Sequence, residues 1–267
     1  MIIINNFMRI SIITVTFNRA HIIHDYIEGV LKQNFKDYEY IIVDGASKDN
    51  TVDILKEYEP KFEGRMRWIS EPDKGLYDAI NKGIRMAKGD IVGIINSDDF
   101  FPYNDTFTHV AKAFEDETVE AVYGDSINVF DTEMRTIYHT SLGPSFRIWM
   151  YRIGMMPSHQ TFYAKRDLFD KLGYYKIDYK ITADYELMLR FIYVNRIKVK
   201  YVNHPLIAFR FGGVSTQMSN KGLLNKECIR ACKENGLYCC SPLIWLKYIV
   251  RFKDIVGLML WQKKNKR

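Results

Sequence analysis

Two adjacent carboxylates, Asp98 and Asp99, follow an apolar stretch at residues 91–95. Carboxylates placed together at the end of a buried strand repel each other unless a cation lies beside them. Mg²⁺ binds a few carboxylates together with phosphate oxygens, and Mn²⁺ takes the same oxygen ligands. The pair therefore predicts a divalent-metal site for a phosphorylated ligand. A solvated turn or a helix cap is the alternative interpretation, because Asp is common in both.

The elements that would position these carboxylates alternate between strand and helix over the first part of the chain. Nearly continuous apolar stretches rich in β-branched residues predict buried strands, and apolar residues at helical spacing predict helices. The strands are predicted at residues 9–16, 38–43, 66–70 and 91–95, and the helices at 21–33, 50–58 and 76–87. Such alternation is typical of a parallel sheet with helices on both faces. Ligands bind beyond the carboxyl ends of its strands, where every polar cluster of this region falls.

The second part of the chain has a less regular pattern. Helices are predicted at residues 106–115, 166–172, 183–193, 223–235 and 243–261, strands at 121–123, 198–201 and 207–211, and a hairpin at 126–139. No repeat, low-complexity tract or linker interrupts the sequence. One domain with a C-terminal helical tail is therefore the simplest division.

Composition places the chain among ordinary globular proteins, since its 267 residues are 47% hydrophobic and 26% charged. The net charge of +6 suits a phosphate-rich ligand, an anionic membrane or nucleic acid, but no nucleic-acid-binding module accompanies it. The four cysteines form no CxxC pair, and residues 1–8 are too short for a signal peptide. No uninterrupted apolar run reaches the ~18 residues of a spanning helix. We therefore expect a cytoplasmic protein with reduced thiols.

Six segments, in this order and spacing, resemble the inverting glycosyltransferases of family 2. They are IITVTFNR at residues 12–19, VDGASKDNT at 43–51, EPDKGLYDAINKG at 71–83, NSDD at 96–99, SHQ at 158–160 and ADYELMLR at 183–190. The resemblance runs from about residue 10 to residue 211, and the combination is far more specific than any one segment. The block at 71–83 is similar to a subgroup that acts on bacterial O-antigen, capsule or exopolysaccharide.

The resemblance implies the α/β fold called GT-A, a mixed and mainly parallel sheet flanked by helices. Residues 1–215 would form the catalytic domain, with a nucleotide-binding half at about 9–100 and an acceptor half at about 101–215, and residues 216–267 would form the tail. The implied reaction transfers a sugar, with inversion, from a nucleotide-diphosphate-sugar to a hydroxyl of a saccharide, which we expect in lipid-linked form. The implied cofactor is Mn²⁺ or Mg²⁺, which neutralises the leaving diphosphate.

The implied roles fall on individual residues. Asp184 would be the general base that takes the proton of the acceptor hydroxyl, although it could be a plain N-terminal helix residue. Asp98 and Asp99 would hold the metal, and Asp98 would also reach the ribose. The remaining donor-binding residues would be Thr16, Asn18, Arg19, Asp44, Asp73, Lys74, Asn81 and His159. Glu186 is expected to form a structural ion pair with a basic residue.

Two departures from the family pattern bear on these roles. The metal motif often has Asp where this chain has Asn96, which makes that oxygen donor neutral. Many relatives also have Asp where this chain has Gly45, and in uridine-specific members that Asp reads the base edge. The absence of that Asp leaves the choice between UDP, GDP and dTDP donors open, and among them a UDP-sugar is the favoured expectation.

Two rival functions also stay open. A nucleotidyltransferase of the same fold would carry a Gly-rich N-terminal signature, which residues 10–19 lack. A non-catalytic nucleotide- or carbohydrate-binding protein would not need the intact carboxylates at positions 98, 99 and 184.

The tail adds a question of location, because residues 243–261 mix large apolar side chains with basic ones. Such a helix either lies in a membrane interface or packs on the catalytic domain with a solvated basic end. The first interpretation predicts a peripheral protein at the inner face of the membrane, where a lipid-linked acceptor would be found.

Overall fold

An eight-stranded mixed sheet organises the protein. The computed structural model describes residues 8–96, 99–129, 137–139, 143–210, 221–250 and 252. The strands are β1 Ile10–Thr16, β2 Tyr38–Asp44, β3 Met66–Ser70, β4 Ile91–Asn96, β5 Ala121–Val129, β6 Ile137–His139, β7 Tyr163–Lys165 and β8 Val199–Arg210. The helices are α1 Ile23–Leu31, α2 Thr51–Tyr58, α3 Leu76–Met86, α4 Thr106–Ala113, α5 Asp167–Leu172, α6 Ala183–Met188, α7 Lys221–Glu234 and α8 Ser241–Val250.

The first half forms the parallel part of the sheet, in the order β3-β2-β1-β4. Every residue of β1 and β2 is buried, because helices cover both faces of these strands. Neighbouring residues of β1 enter different cores: Ile12 packs with Tyr40 on one face, and Ile13 packs with Ile84 of α3 on the other. The approach of α3 is so close that a Cβ on Gly83 would collide with Ile13. The predicted parallel α/β sheet is confirmed.

The second half joins the sheet in mixed orientation. β7 lies antiparallel to both β4 and β5, β6 lies antiparallel to the end of β5, and β8 runs parallel to β5. The two late strands predicted at 198–201 and 207–211 are one strand of 12 residues. Pro205 misled the prediction, because proline cannot donate a ladder hydrogen bond. The structure accommodates Pro205 opposite Asp125, where the register of the β5–β8 pair shifts.

The helix predicted at residues 183–193 is shorter in its α-helical part. α6 ends at Met188, and a π-helical turn follows at Leu189–Val194. Arg190 lies in this wider turn and donates hydrogen bonds to the carbonyl oxygens of Gly173 and Tyr174 at 2.8 and 2.9 Å. The turn therefore ties the end of α6 to the loop that follows α5.

The two C-terminal helices pack on the sheet domain. Cys228, Cys232 and Ile244 are buried in the same core as Tyr185 and Leu187 of α6. The four cysteines are free thiols. Among the described helices, none combines the length and the apolar character that crossing a bilayer requires.

A buried ion pair strengthens this packing. Glu186 is fully buried and lies 3.0 Å from both Arg190 and Lys176, and it accepts a hydrogen bond from Asn235 just beyond α7 at 3.2 Å. Burial alone would raise the pKa of Glu186, but the hydrogen bonds from these partners and their positive charges hold that pKa below its usual value. Glu186 thus forms the structural pair expected of it.

Candidate active site

Buried polar residues lie at the carboxyl ends of β1 and β2. Asp44 is fully buried at the end of β2 and accepts hydrogen bonds from the backbone N–H of Ser47 at 2.9 Å and the hydroxyl of Ser70 at 2.6 Å. The Ser47 hydroxyl also donates to Asp44. Thr16 is buried at the end of β1, and its carbonyl oxygen accepts from the N–H of Gly45 at 2.9 Å. The donor contacts expected of Thr16 and Asp44 stay predictions.

The loops after these two strands are fastened to each other. Asn18 has φ = 52°, in the left-handed region that Asn tolerates better than most residues. Its N–H donates to Ser47 at 2.7 Å, and its side-chain oxygen accepts from the N–H of Lys48 at 2.8 Å. The N–H of Arg19 donates to Thr51 at 3.0 Å, which places Arg19 between the same two loops. The nucleotide contacts expected of Asn18 and Arg19 stay predictions.

The segment between β3 and α3 lies beside the loop that follows β2. A Cβ built on Gly45 would come within 3.2 Å of Asp73 Oδ2 and 3.4 Å of Phe17, so these three residues line the same space. Asp73 Oδ1 lies 2.6 Å from Lys82 Nζ. Hydrogen bonds from Lys82 to Asp73 and then to Glu71 raise the pKa of Lys82 to about 12. Sequence reasoning missed Lys82, although it belongs to the block at 71–83.

Lys74 and Asn81 differ in their exposure. The Lys74 side chain is exposed, and its backbone N–H donates to Asp78 at 3.0 Å at the start of α3. Asn81 is buried, and its amide group exchanges two hydrogen bonds with the backbone of Tyr175, at 2.8 and 3.0 Å. Asn81 thus joins α3 to the segment before α6, and the donor contact expected of it stays a prediction.

The acidic motif lies at the carboxyl end of β4. Asp98 is outside the described residues, and the Asp99 side chain is buried with 6% exposure. The N–H of Asp99 donates to the Asn96 carbonyl oxygen at 3.2 Å. Asn96 in turn donates its N–H to the side-chain oxygen of Gln160 at 3.3 Å. Gln160 therefore attaches the acidic motif to the Ser-His-Gln segment, a link that the sequence does not reveal.

The same segment contacts the predicted general base. His159 and Gln160 belong to one 3₁₀ turn, His159–Thr161. Nδ1 of His159 lies 3.0 Å from Oδ2 of Asp184. The other oxygen of Asp184 accepts the N–H of Tyr185 at 2.8 Å. One short turn thus contacts both the strand end that precedes Asp99 and the helix that carries Asp184, so groups far apart in sequence share one region.

Two buried tyrosines surround Asp184 on its other side. Tyr77 of α3 and Tyr175 stack with ring centroids 5.8 Å apart. Burial and the negative charge of Asp184 raise the pKa of both hydroxyls well above the usual value. Asp184 is itself only 13% exposed, so this carboxylate is largely shielded from water beside the two tyrosines. Sequence reasoning missed both tyrosines; the signal available was the position of Tyr77 in the block at 71–83.

The loop that precedes Asp184 is fixed by a carboxylate of α7. Glu227 is buried, with 6% exposure, and accepts hydrogen bonds from the backbone N–H groups of Lys180, Ile181 and Thr182 at 2.8, 3.0 and 3.0 Å. The Thr182 hydroxyl donates to the same carboxylate at 3.1 Å. Because Thr182 directly precedes α6, Glu227 sets where that helix begins and where its Asp184 lies.

Comparison with known proteins identifies the family of the chain. Residues 11–176 match the family described as glycosyl transferase family 2. A PGL/p-HBAD biosynthesis glycosyltransferase of Mycobacterium bovis (strain BCG / Pasteur 1173P2) is 29% identical over 259 residues, which cover 96% of this chain and 98% of that protein.

Solved structures share the fold at lower identity. S. aureus TarS 1–349 in complex with UDP-GlcNAc has a TM-score of 0.66 and 18% identity, and the match covers 86% of this chain and 68% of that one. A longer TarS structure is covered to 41%. The mannosyltransferase PcManGT from Pyrobaculum calidifontis, in complex with GDP-Man and Mn²⁺, has a TM-score of 0.62 and 18% identity, over 90% of this chain and 67% of that one. The family match extends over most of the sheet and agrees with this fold, and the chain belongs to glycosyl transferase family 2.

Proposed function

We propose that this enzyme transfers a sugar from a nucleotide-diphosphate-sugar to a saccharide hydroxyl with inversion, and that Asp184 is the general base. One observation carries the proposal: the turn His159–Thr161 contacts both the strand end of the acidic motif and Asp184. A donor bound at the strand ends would then have its reacting carbon close to a carboxylate that is able to accept a proton.

The donor would bind between the loops that follow β1, β2 and β3. Arg19 and Lys74 would bind its phosphates through charge-assisted hydrogen bonds, and Phe17, which is 55% exposed beside Gly45, leaves an apolar surface for the base. TarS is described with UDP-GlcNAc and PcManGT with GDP-Man, so both bases occur on this fold. We favour UDP for this chain.

A divalent cation, Mn²⁺ or Mg²⁺, would bind at the acidic motif. The buried carboxylate of Asp99 and the neighbouring Asn96 offer the hard oxygen donors that such ions prefer, so the described residues fit the ion, and Asp98 would complete the set. When bound, the ion supplies charge neutralisation for the leaving diphosphate. His159 would add a hydrogen bond to the diphosphate or the acceptor.

Asp184 would take the proton of the acceptor hydroxyl as the new glycosidic bond forms. The attack comes from the face opposite the leaving diphosphate, which inverts the anomeric carbon and needs no covalent enzyme intermediate. Shielding from water beside Tyr77 and Tyr175 would strengthen the interaction of Asp184 with the acceptor hydroxyl.

We propose a lipid-linked saccharide as the acceptor. The relative of M. bovis is described as a biosynthesis glycosyltransferase for PGL/p-HBAD, and α8 presents exposed apolar side chains, among them Trp245 at 57%, Ile249 at 71% and Phe252 just beyond its end at 63%. Basic residues follow in the sequence, from Lys253 to Arg267. An apolar face next to basic residues favours peripheral binding to an anionic membrane surface, where a lipid-linked acceptor would lie.

The proposal is tested by measuring nucleoside diphosphate release over a panel of UDP-, GDP- and dTDP-sugars with and without Mn²⁺. Asp184→Asn should still bind the donor, seen as a donor-dependent rise in Tm, but should lose transfer by about 10²- to 10⁴-fold. Asp99→Asn should lose the metal-dependent part of the Tm rise. Asp167→Asn is the matched control, because Asp167 is an exposed carboxylate paired with Lys171 on α5. Normal turnover by Asp184→Asn would contradict the assignment of the base.

A further inference from the structure

We propose that this protein has a second, transition-metal site, formed by Asp105, His109 and His204, which binds Zn²⁺. The three side chains come from two elements: Asp105 directly precedes α4, His109 lies one turn into that helix, and His204 is in β8. Their ligand atoms all lie within 4.8 Å of one another.

The distances agree with ligands that share one ion. Nε2 of His204 lies 3.3 Å from Oδ1 of Asp105, and Nε2 of His109 lies 3.4 Å from Oδ2. Two ligands at about 2.1 Å from a tetrahedral zinc are about 3.4 Å apart, whereas good N–H···O hydrogen bonds are about 2.9 Å long. The two imidazole rings stack with centroids 3.9 Å apart and an interplanar angle of 17°. The Nε2 lone pair lies in the ring plane, so one ring would turn about its side-chain bonds when both histidines bind one ion.

Two atoms of this cluster make no hydrogen bond of good geometry within the described residues. Oδ1 of Asp105 and Nε2 of His204 are both shielded from solvent and face each other at 3.3 Å without the geometry of a good hydrogen bond. A buried polar atom without a partner costs about 1–3 kcal/mol. A cation between these atoms would satisfy both.

The ligand types distinguish this site from the acidic motif. Two imidazoles and one carboxylate suit Zn²⁺, whereas carboxylates with phosphate oxygens suit Mg²⁺ or Mn²⁺. The sites are also separated along the fold. Phe100, next to the acidic motif, pairs with Ala208 of β8, and His204 lies four residues earlier on that strand, about 13 Å away at the rise of a β-strand. Zinc would therefore fasten the start of α4 to β8 and hold the segment that follows Asp99.

The test uses the full-length protein without a histidine tag, stripped with EDTA and dialysed against Zn²⁺. Mass spectrometry of the metal should find one equivalent per chain, and Tm should rise by about 5 to 10 °C at a free zinc concentration of about a hundred times Kd. His109→Gln and His204→Gln should each lose the zinc. His21→Gln, an exposed histidine in the segment before α1, and Asp99→Asn are the controls and should retain it.

Substitution by Co²⁺ provides a readout that does not require a variant to fold. The expected spectrum has the visible bands of a tetrahedral ion and lacks the near-ultraviolet charge transfer of a thiolate ligand, which excludes the four cysteines. Wild-type protein that holds no zinc after dialysis overturns the proposal. Retention of the ion by the His109→Gln/His204→Gln double variant, or its loss in Asp99→Asn alone, overturns it as well. None of these outcomes depends on sugar transfer, so the proposed function is tested separately.

Discussion

Replacing Glu227 by alanine removes the single acceptor of three backbone N–H groups in the loop before α6. A buried N–H without a partner costs about 1–3 kcal/mol. We assign about 2 kcal/mol to Thr182, which is buried, and about 1 kcal/mol each to Lys180 and Ile181, which water can reach. The free energy of unfolding should therefore fall by about 4 kcal/mol, which lowers Tm by about 8 to 16 °C.

Glu227→Gln separates positioning from stability. The glutamine keeps one carbonyl oxygen, but its NH₂ group faces backbone N–H donors and pushes the loop away. A displacement of about 1 Å at Asp184 is enough to lower kcat by about 10²-fold. The donor KM should change little, because the β1 and β2 loops make no contact with residues 180–182 in the described hydrogen-bond network.

The assay is steady-state release of nucleoside diphosphate with acceptor present, together with thermal unfolding of each variant. Glu234→Gln is the matched control, because Glu234 lies on the same helix and binds the side chains of Lys176, Tyr179 and Arg230 but no backbone N–H of residues 180–182. A wild-type kcat for Glu227→Gln, or an equal loss in Glu234→Gln, would refute the idea that this carboxylate positions the base.

Three further predictions follow from other contacts. Gly83→Ala should lower the free energy of unfolding by about 1–2 kcal/mol in urea titrations, because the new methyl collides with Ile13, whereas Gly222→Ala, which meets open space in α7, should raise it by up to about 1 kcal/mol. The pKa of Glu186 is depressed in the folded state, so the stability that its ionised carboxylate contributes is present above about pH 4.3 and is lost as pH falls through the pKa of the folded protein. The difference in Tm between the native protein and Glu186→Gln should therefore narrow on acidification below pH ~4. A difference that stays constant from pH ~7 to ~3 would contradict this. His159→Gln should lose about 10- to 10²-fold in kcat, measured by the same release assay, because the carboxylate it contacts at 3.0 Å loses its imidazole partner.

The parallel half of the sheet could be predicted because its strands are buried on both faces. β3 begins and ends where the sequence places it, at Met66 and Ser70, and the other three parallel strands differ by a single residue at one end. In this half the local sequence pattern and the tertiary environment both favour a strand with apolar residues on its two faces, since each strand lies between two helical layers. β8 shows the opposite case: the pattern around Pro205 predicts a break, and pairing with β5 overrides it.

The candidate site was predictable as a set of residue types but not as a set of contacts. The contacts of Gln160 and Glu227 leave no local pattern in the sequence. Gln160 binds a partner 64 residues away, and Glu227 binds one 45 residues away. The hydrogen bonds of Asn81 to Tyr175 span 94 residues and are equally invisible to periodicity. Motif resemblance brings the chemical groups together, whereas the side chains that hold them are known only once the chain has folded.

The dependence of residues 180–182 on α7 has a consequence for the order of events during protein synthesis. Residues up to 210 supply every described strand of the sheet, but the carboxylate that fixes residues 180–182 is translated later. A nascent chain can therefore assemble its sheet on the ribosome while Asp184 is still unplaced. With Asp184 as the proposed base, an interrupted translation product that lacks Glu227 would be able to bind a donor without consuming it.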